Sequence, residues 1–103
     1  MRNRKIYISG PVTGVPGGNL SAFLDAASKL MGAGYKVIIP HLFISGDASH
    51  ADAMRACIRR MCAWDVAGVA QLDGWEESDG ARLEADIADE CGIECRPLSE
   101  WLI

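Results

Sequence analysis

Short β-rich runs closed by glycine or proline alternate strictly with stretches whose apolar residues recur at helical spacing, and this constrains the fold most strongly. The first run, residues 5–9 (Lys-Ile-Tyr-Ile-Ser), ends at Gly10-Pro11. Residues 10–19 hold four glycines and two prolines, through which no helix runs. Asn19 or Ser21 then caps a helix with Leu20, Phe23, Leu24, Ala27, Leu30 and Met31 on one stripe, ended by Gly32 and Gly34. Residues 35–39 read as a second strand, stopped by Pro40. A second helix spans roughly 49–63, with Met54, Cys57, Ile58, Met61 and Cys62 on its apolar side. Residues 66–72 form a third strand, turned by Asp73-Gly74, and a third helix runs from about 78 to 91 before Gly92. A short fourth strand at 93–96 is broken by Pro97, and Ser99 caps a last turn ending in Trp101.

Strict βα alternation predicts a parallel sheet with helices on both faces. Right-handed crossovers in so short a chain predict a flavodoxin-like three-layer α/β fold with strand order 2-1-3-4. With 103 residues, half of them apolar, a single domain over 1–103 with one core is expected.

Composition excludes several partners. The net charge is −4, and beyond the basic first five residues and Arg59-Arg60 no Lys/Arg stripe exists to hold duplex nucleic acid. The apolar runs are too short to span a membrane, the start lacks a signal-peptide core, and the cytoplasm is the expected location. Cys57, Cys62, Cys91 and Cys95 form no C-x-x-C pair, so reduced, packed thiols are expected and no metal site. Neither a P-loop nor a G-x-G-x-x-G fingerprint is present, and no cofactor is expected.

In an open parallel sheet, ligands bind beyond the carboxyl ends of the strands, where the strand order reverses. That point lies between strands one and three, so the loops at 10–19 and 73–80 face it. Across Ser9, Gly10, Pro11, Thr13 and Gly14, the non-proline residues offer backbone N–H groups, and Thr13 a hydroxyl, to a small, even anionic, ligand. Glu84 is the sharper anomaly. Gly80, Glu84, Ile87, Ala88 and Cys91 share one helical stripe, which puts a carboxylate on the face that should meet the sheet. Burying it costs several kcal/mol unless it is paired or hydrogen-bonded. Tyr7 on strand one either reaches that carboxylate or is a core aromatic satisfied elsewhere. Ser78 is the expected cap of the third helix, Trp75 either stacks on a base or packs on its own loop, and Asp73 ends strand three on the ligand side. His41 follows strand two at the rim, His50 near a helix start reads as structural or solvated, and Asp65 belongs at the opposite edge.

Lys-Ile-Tyr-Ile-Ser-Gly-Pro at 5–11, Gly74-Trp75-Glu76, and Ser78-x-Gly80-x-x-x-Glu84 together resemble the DUF4406 family, and through it the nucleoside 2-deoxyribosyltransferases and deoxynucleoside 5′-monophosphate N-glycosidases. The resemblance implies cleavage or exchange of the N-glycosidic bond of a 2′-deoxynucleoside or its monophosphate. Carried over, Glu84 attacks the anomeric carbon, Tyr7 holds Glu84, Ser78 with Gly80 assists at the sugar, and the loop from Gly10 to Gly14 holds the 5′-end. Such relatives form homodimers, so a homo-oligomer is expected. One departure stands out. Where those enzymes carry an Asp on the helix before strand three, this chain has Cys57. A nucleotide-binding or sensing protein without turnover is therefore the alternative, and an interaction module assembled through the helices is a third.

Overall fold

The computed structural model describes residues 4–103; residues 1–3, with Arg2 of the basic start, lie outside it. Strands β1 (Lys5–Ser9), β2 (Lys36–Ile38), β3 (Val66–Gln71) and β4 (Glu94–Pro97) form one parallel sheet in the order β2-β1-β3-β4. Helices α1 (Leu20–Gly32), α2 (His50–Met61), α3 (Asp79–Glu90) and α4 (Leu98–Trp101) complete the chain. The expected doubly covered α/β architecture and strand order are observed.

Side-chain alternation along the strands divides the interior into two cores. Ile6 and Ile8 of β1, with Ile39, Ala70 and Leu72, pack beneath Phe23, Ala26, Ala27 and Leu30 of α1 and Trp101 of α4. Tyr7, Ile38, Val66 and Val69 point the opposite way, onto Cys57 and Met61 of α2 and Ala88 of α3. The β1–β3 register slips by one residue between Lys5 and Ile6, which puts Val66 on the same face as Val69 despite their odd separation. Gly68 of β3 faces α4. A Cβ there would lie 2.4 Å from the Trp101 ring, whose Nε1–H donates to the Val69 carbonyl at 2.9 Å.

Local details differ from the sequence expectations. Leu24 and Met31 are 51% and 55% exposed, because the edge position of α1 buries only the narrower stripe of Phe23, Ala26, Ala27 and Leu30. Asn19 precedes α1 with a φ of 61° and makes no cap bond, its side-chain amide donating instead to the Pro11 carbonyl at 3.0 Å. Ser21 lies inside α1, and Ser99 lies inside α4. Ser49 and Ser78 do cap α2 and α3, accepting from the N–H groups of Asp52 and Ala81. Cys91 is exposed at the end of α3, beside Cys62 at the end of α2. All four thiols are free. Among the described residues no cluster of three or more metal-ligating side chains occurs, and no helix is long and apolar enough to cross a membrane.

Candidate active site

The site follows from the alternation of β1. Tyr7 and Ser9 are two residues apart, so both project from the same sheet face, the one that α3 covers. Ala81, Glu84 and Ala88 form the buried stripe of α3, and Glu84 is 6% exposed. The Tyr7 hydroxyl donates to Glu84 Oε2 at 2.8 Å, and the Ser9 hydroxyl donates to Glu84 Oε1 at 2.6 Å. Each carboxylate oxygen keeps a further lone pair beyond these bonds. The Cys57 thiol of α2 adjoins both Tyr7 and Glu84.

Electrostatics keep this group in tension. Burial raises the Glu84 pKa above the usual carboxyl value, while hydrogen bonds from Ser9, Tyr7 and Cys57 partly oppose the rise. Burial, then the charge of Glu84, raises the Tyr7 phenol and keeps it protonated, so it acts as a donor. Burial pushes the Cys57 thiol up to about 11; a hydrogen bond with Tyr7 draws it down and the Glu84 charge raises it. Three protonated groups thus surround one carboxyl, whose own pKa burial raises.

These groups form one wall of a cavity of about 930 Å³ at the carboxyl end of β1, bounded by the segments that follow β1 and β2 and by α2 and the start of α3; no residue of β3 lines it. Volumes of this order suit small organic ligands. Tyr7, Ser9, Gly10, Thr13, Ser78, Gly80 and Glu84 line it, as the topology suggested. Pro11, Gly14, Asp73 and Trp75 do not. Asp73 is exposed at the end of β3, and Trp75 sits half-buried in a single 3₁₀ turn, Trp75–Glu77. Pro11 supports the site indirectly: a Cβ on Gly74, which has a φ of +86°, would lie 3.4 Å from its ring. Gly80 meets α2 rather than the sheet, with Met54 Sδ 3.1 Å from where its Cβ would be.

Of the opposite wall only His41, expected at the rim, was foreseen. His41, Ile44, Ser45, Gly46 and Ala48 line it, all from the segment that follows β2. Because β2 neighbours β1 in the sheet, its carboxyl end opens on the same crevice, a consequence of the 2-1-3-4 order. His41 Nε2–H donates to the Gly18 carbonyl at 2.8 Å, and its Nδ1 is buried and unpartnered. The bond joins the β2 segment to the glycine turn after β1, where Gly17 and Gly18 have φ of 64° and 63°. Glu77, Asp79 and His50 complete the mouth. Asp65 sits at the far edge of the sheet, as expected, bound to Lys5 and Arg60 at 2.8 Å.

A buried carboxyl held by two hydroxyls against a cavity of this size is suited to attack on an electrophilic carbon. It is equally able to accept a hydrogen bond from a bound hydroxyl. No curated protein matches the sequence significantly. The family model described as "Domain of unknown function (DUF4406)" matches residues 4–96, from the start of β1 through all but the last residue of β4, and the chain therefore belongs to the DUF4406 family.

Proposed function

We propose that this protein cleaves or exchanges the N-glycosidic bond of a 2′-deoxynucleoside or its 5′-monophosphate, with Glu84 as the nucleophile. The observation that carries the reading is Glu84 itself, a 6% exposed carboxyl bonded by Tyr7 and Ser9 at the wall of the crevice. The likeness of the 5–11 and 78–84 blocks to nucleoside 2-deoxyribosyltransferases and related N-glycosidases supports the substrate class. A Glu84 oxygen bonds to the anomeric carbon as the carbon–nitrogen bond breaks. The bonding pair leaves on the base nitrogen, which takes a proton from water. Water, or a second base, then attacks the same carbon and releases Glu84 as a carboxylate. Tyr7 and Ser9 orient the carboxylate, and the two oxygens they bind share its charge.

One observation favours a second reading, a nucleotide-binding or sensing protein without turnover. The group beside Glu84 is the Cys57 thiol, with its pKa near 11, and not a second carboxyl able to protonate the leaving base. The two readings separate in one experiment. Purified protein and its Glu84→Gln variant are incubated with 2′-deoxynucleosides and their 5′-monophosphates, with free base read by chromatography and binding by thermal shift. Base release by the parent, abolished in the variant while binding persists, is the expected result. Binding without release by the parent replaces the enzyme with the sensor, and equal release by both proteins ends the covalent mechanism. The proposal extends to a homodimer in the cytoplasm, for which sedimentation velocity and cell fractionation are the tests.

A further inference from the structure

The charge around the cavity narrows the substrate. Among the described residues, no lysine or arginine lines it, while three carboxyls do: Glu77, Asp79 and Glu84. Its basic candidates are His41 and His50. The His41 Nε2–H is committed to Gly18, and its Nδ1 is buried without a partner. Arg82 pairs with Asp79 at 2.5 Å across the exposed surface and is not part of the lining. The positive end of α3 opens on the cavity and in other settings would hold a phosphate. Here Ser78 occupies the Ala81 N–H, and Glu77 and Asp79 already bring negative charge to that end.

We infer that the site takes an uncharged 2′-deoxynucleoside and disfavours its 5′-monophosphate. The inference rests on the N-glycosidic reading and deepens it. A nucleoside brings no charge to be neutralised, whereas a phosphate dianion would meet Glu77 and Glu84 with no lining Lys or Arg among the described residues, Asp79 being offset by Arg82 outside the lining. Glu77 and Asp79 thereby become specificity-determining residues.

The test compares 2′-deoxyadenosine and 2′-deoxycytidine with their 5′-monophosphates by calorimetric Kd and by base release, at low and high salt. At low salt each nucleoside is expected to bind at least about tenfold more tightly than its monophosphate. The gap should shrink as salt screens the repulsion. In the Glu77→Gln/Asp79→Asn double variant, checked for folding by its melting curve, the ratio should also fall. Unchanged salt dependence in the parent protein, or a monophosphate that binds as well as its nucleoside, overturns the inference and leaves the N-glycosidic reading standing. Binding and release of neither class of compound removes that reading and the inference with it.

Discussion

Replacing Tyr7 by phenylalanine removes one oxygen from a buried network and keeps the ring that fills the space, so its cost isolates a hydrogen bond. Tyr7 is 1% exposed and donates to Glu84 Oε2 at 2.8 Å, while Ser9 occupies Oε1. A hydrogen bond to a charged group contributes about 1.5–3 kcal/mol, against about 0.5–1.5 kcal/mol for a neutral pair. Tyr7→Phe should therefore cost about 1.5–3 kcal/mol at a pH where Glu84 is ionised, a fall in Tm on the order of 10 °C for a chain of this size. In the Glu84→Gln background the same change should cost only the neutral amount, leaving a coupling of roughly 1 kcal/mol. Urea denaturation of the four proteins at fixed pH measures that cycle. Equal costs in both backgrounds would show that Tyr7 and Glu84 do not act as a pair.

Burial raises Glu84 above the unfolded carboxyl value despite opposing bonds from Ser9, Tyr7 and Cys57. Between the unfolded and folded values the folded protein holds more protons, so the contribution of this group to stability is full below the unfolded value and falls as pH rises. Glu84→Gln stays neutral throughout, and its stability relative to the parent should climb over that interval. Catalysis has the opposite sign, because the nucleophile must be ionised: base release should rise with pH as Glu84 deprotonates. A gap between parent and variant that does not change with pH refutes this assignment.

Three further perturbations probe the surroundings. Gly68→Ala places a Cβ 2.4 Å from a Trp101 ring that is anchored to Val69, and should cost about 1–3 kcal/mol in urea titration with little effect on ligand Kd. Asp65→Asn removes a carboxyl that Arg60 first and Lys5 next hold well below the usual range. Its contribution is present above the unfolded value and lost as pH falls, and on so exposed a group the effect on Tm should be small and vanish in high salt. Cys57→Asp supplies a proton donor beside Glu84 and should raise base release by roughly tenfold or more, at lower stability; unchanged release means proton donation does not limit the reaction.

The strand order and the position of Glu84 were legible because each depends on local signals with one dominant period. Alternating elements specify a parallel sheet, and a carboxylate on an apolar helical stripe stands out against its neighbours. The outer face of α1 was not. Leu24 and Met31 fit a helical stripe as well as Phe23 and Leu30 do, and only the edge placement of α1 decides which pair is covered. The wall contributed by the segment after β2 was hidden for a related reason. Its residues past His41 carry no motif, and although the predicted order sets β2 beside β1, the path of that segment along the crevice is decided only in the folded chain.

Ser9 marks the boundary between these cases. Read as the start of a glycine turn, it offers backbone to a ligand; read as the residue two past Tyr7, it shares the sheet face of Tyr7. The second reading needs nothing beyond period two and the placement of α3 over that face, and the 2.6 Å bond to Glu84 follows from it. Cys57 differs, because its approach to Tyr7 and Glu84 depends on how α2 lies beside α3, which helical spacing alone does not specify. The carboxyl and its two hydroxyl donors are thus encoded along single elements, while the group that could protonate a leaving base is set between elements. A substitution there leaves the periodicities that build the fold undisturbed, so under the proposed N-glycosidic reading Cys57→Asp is the exchange that tests turnover against binding alone.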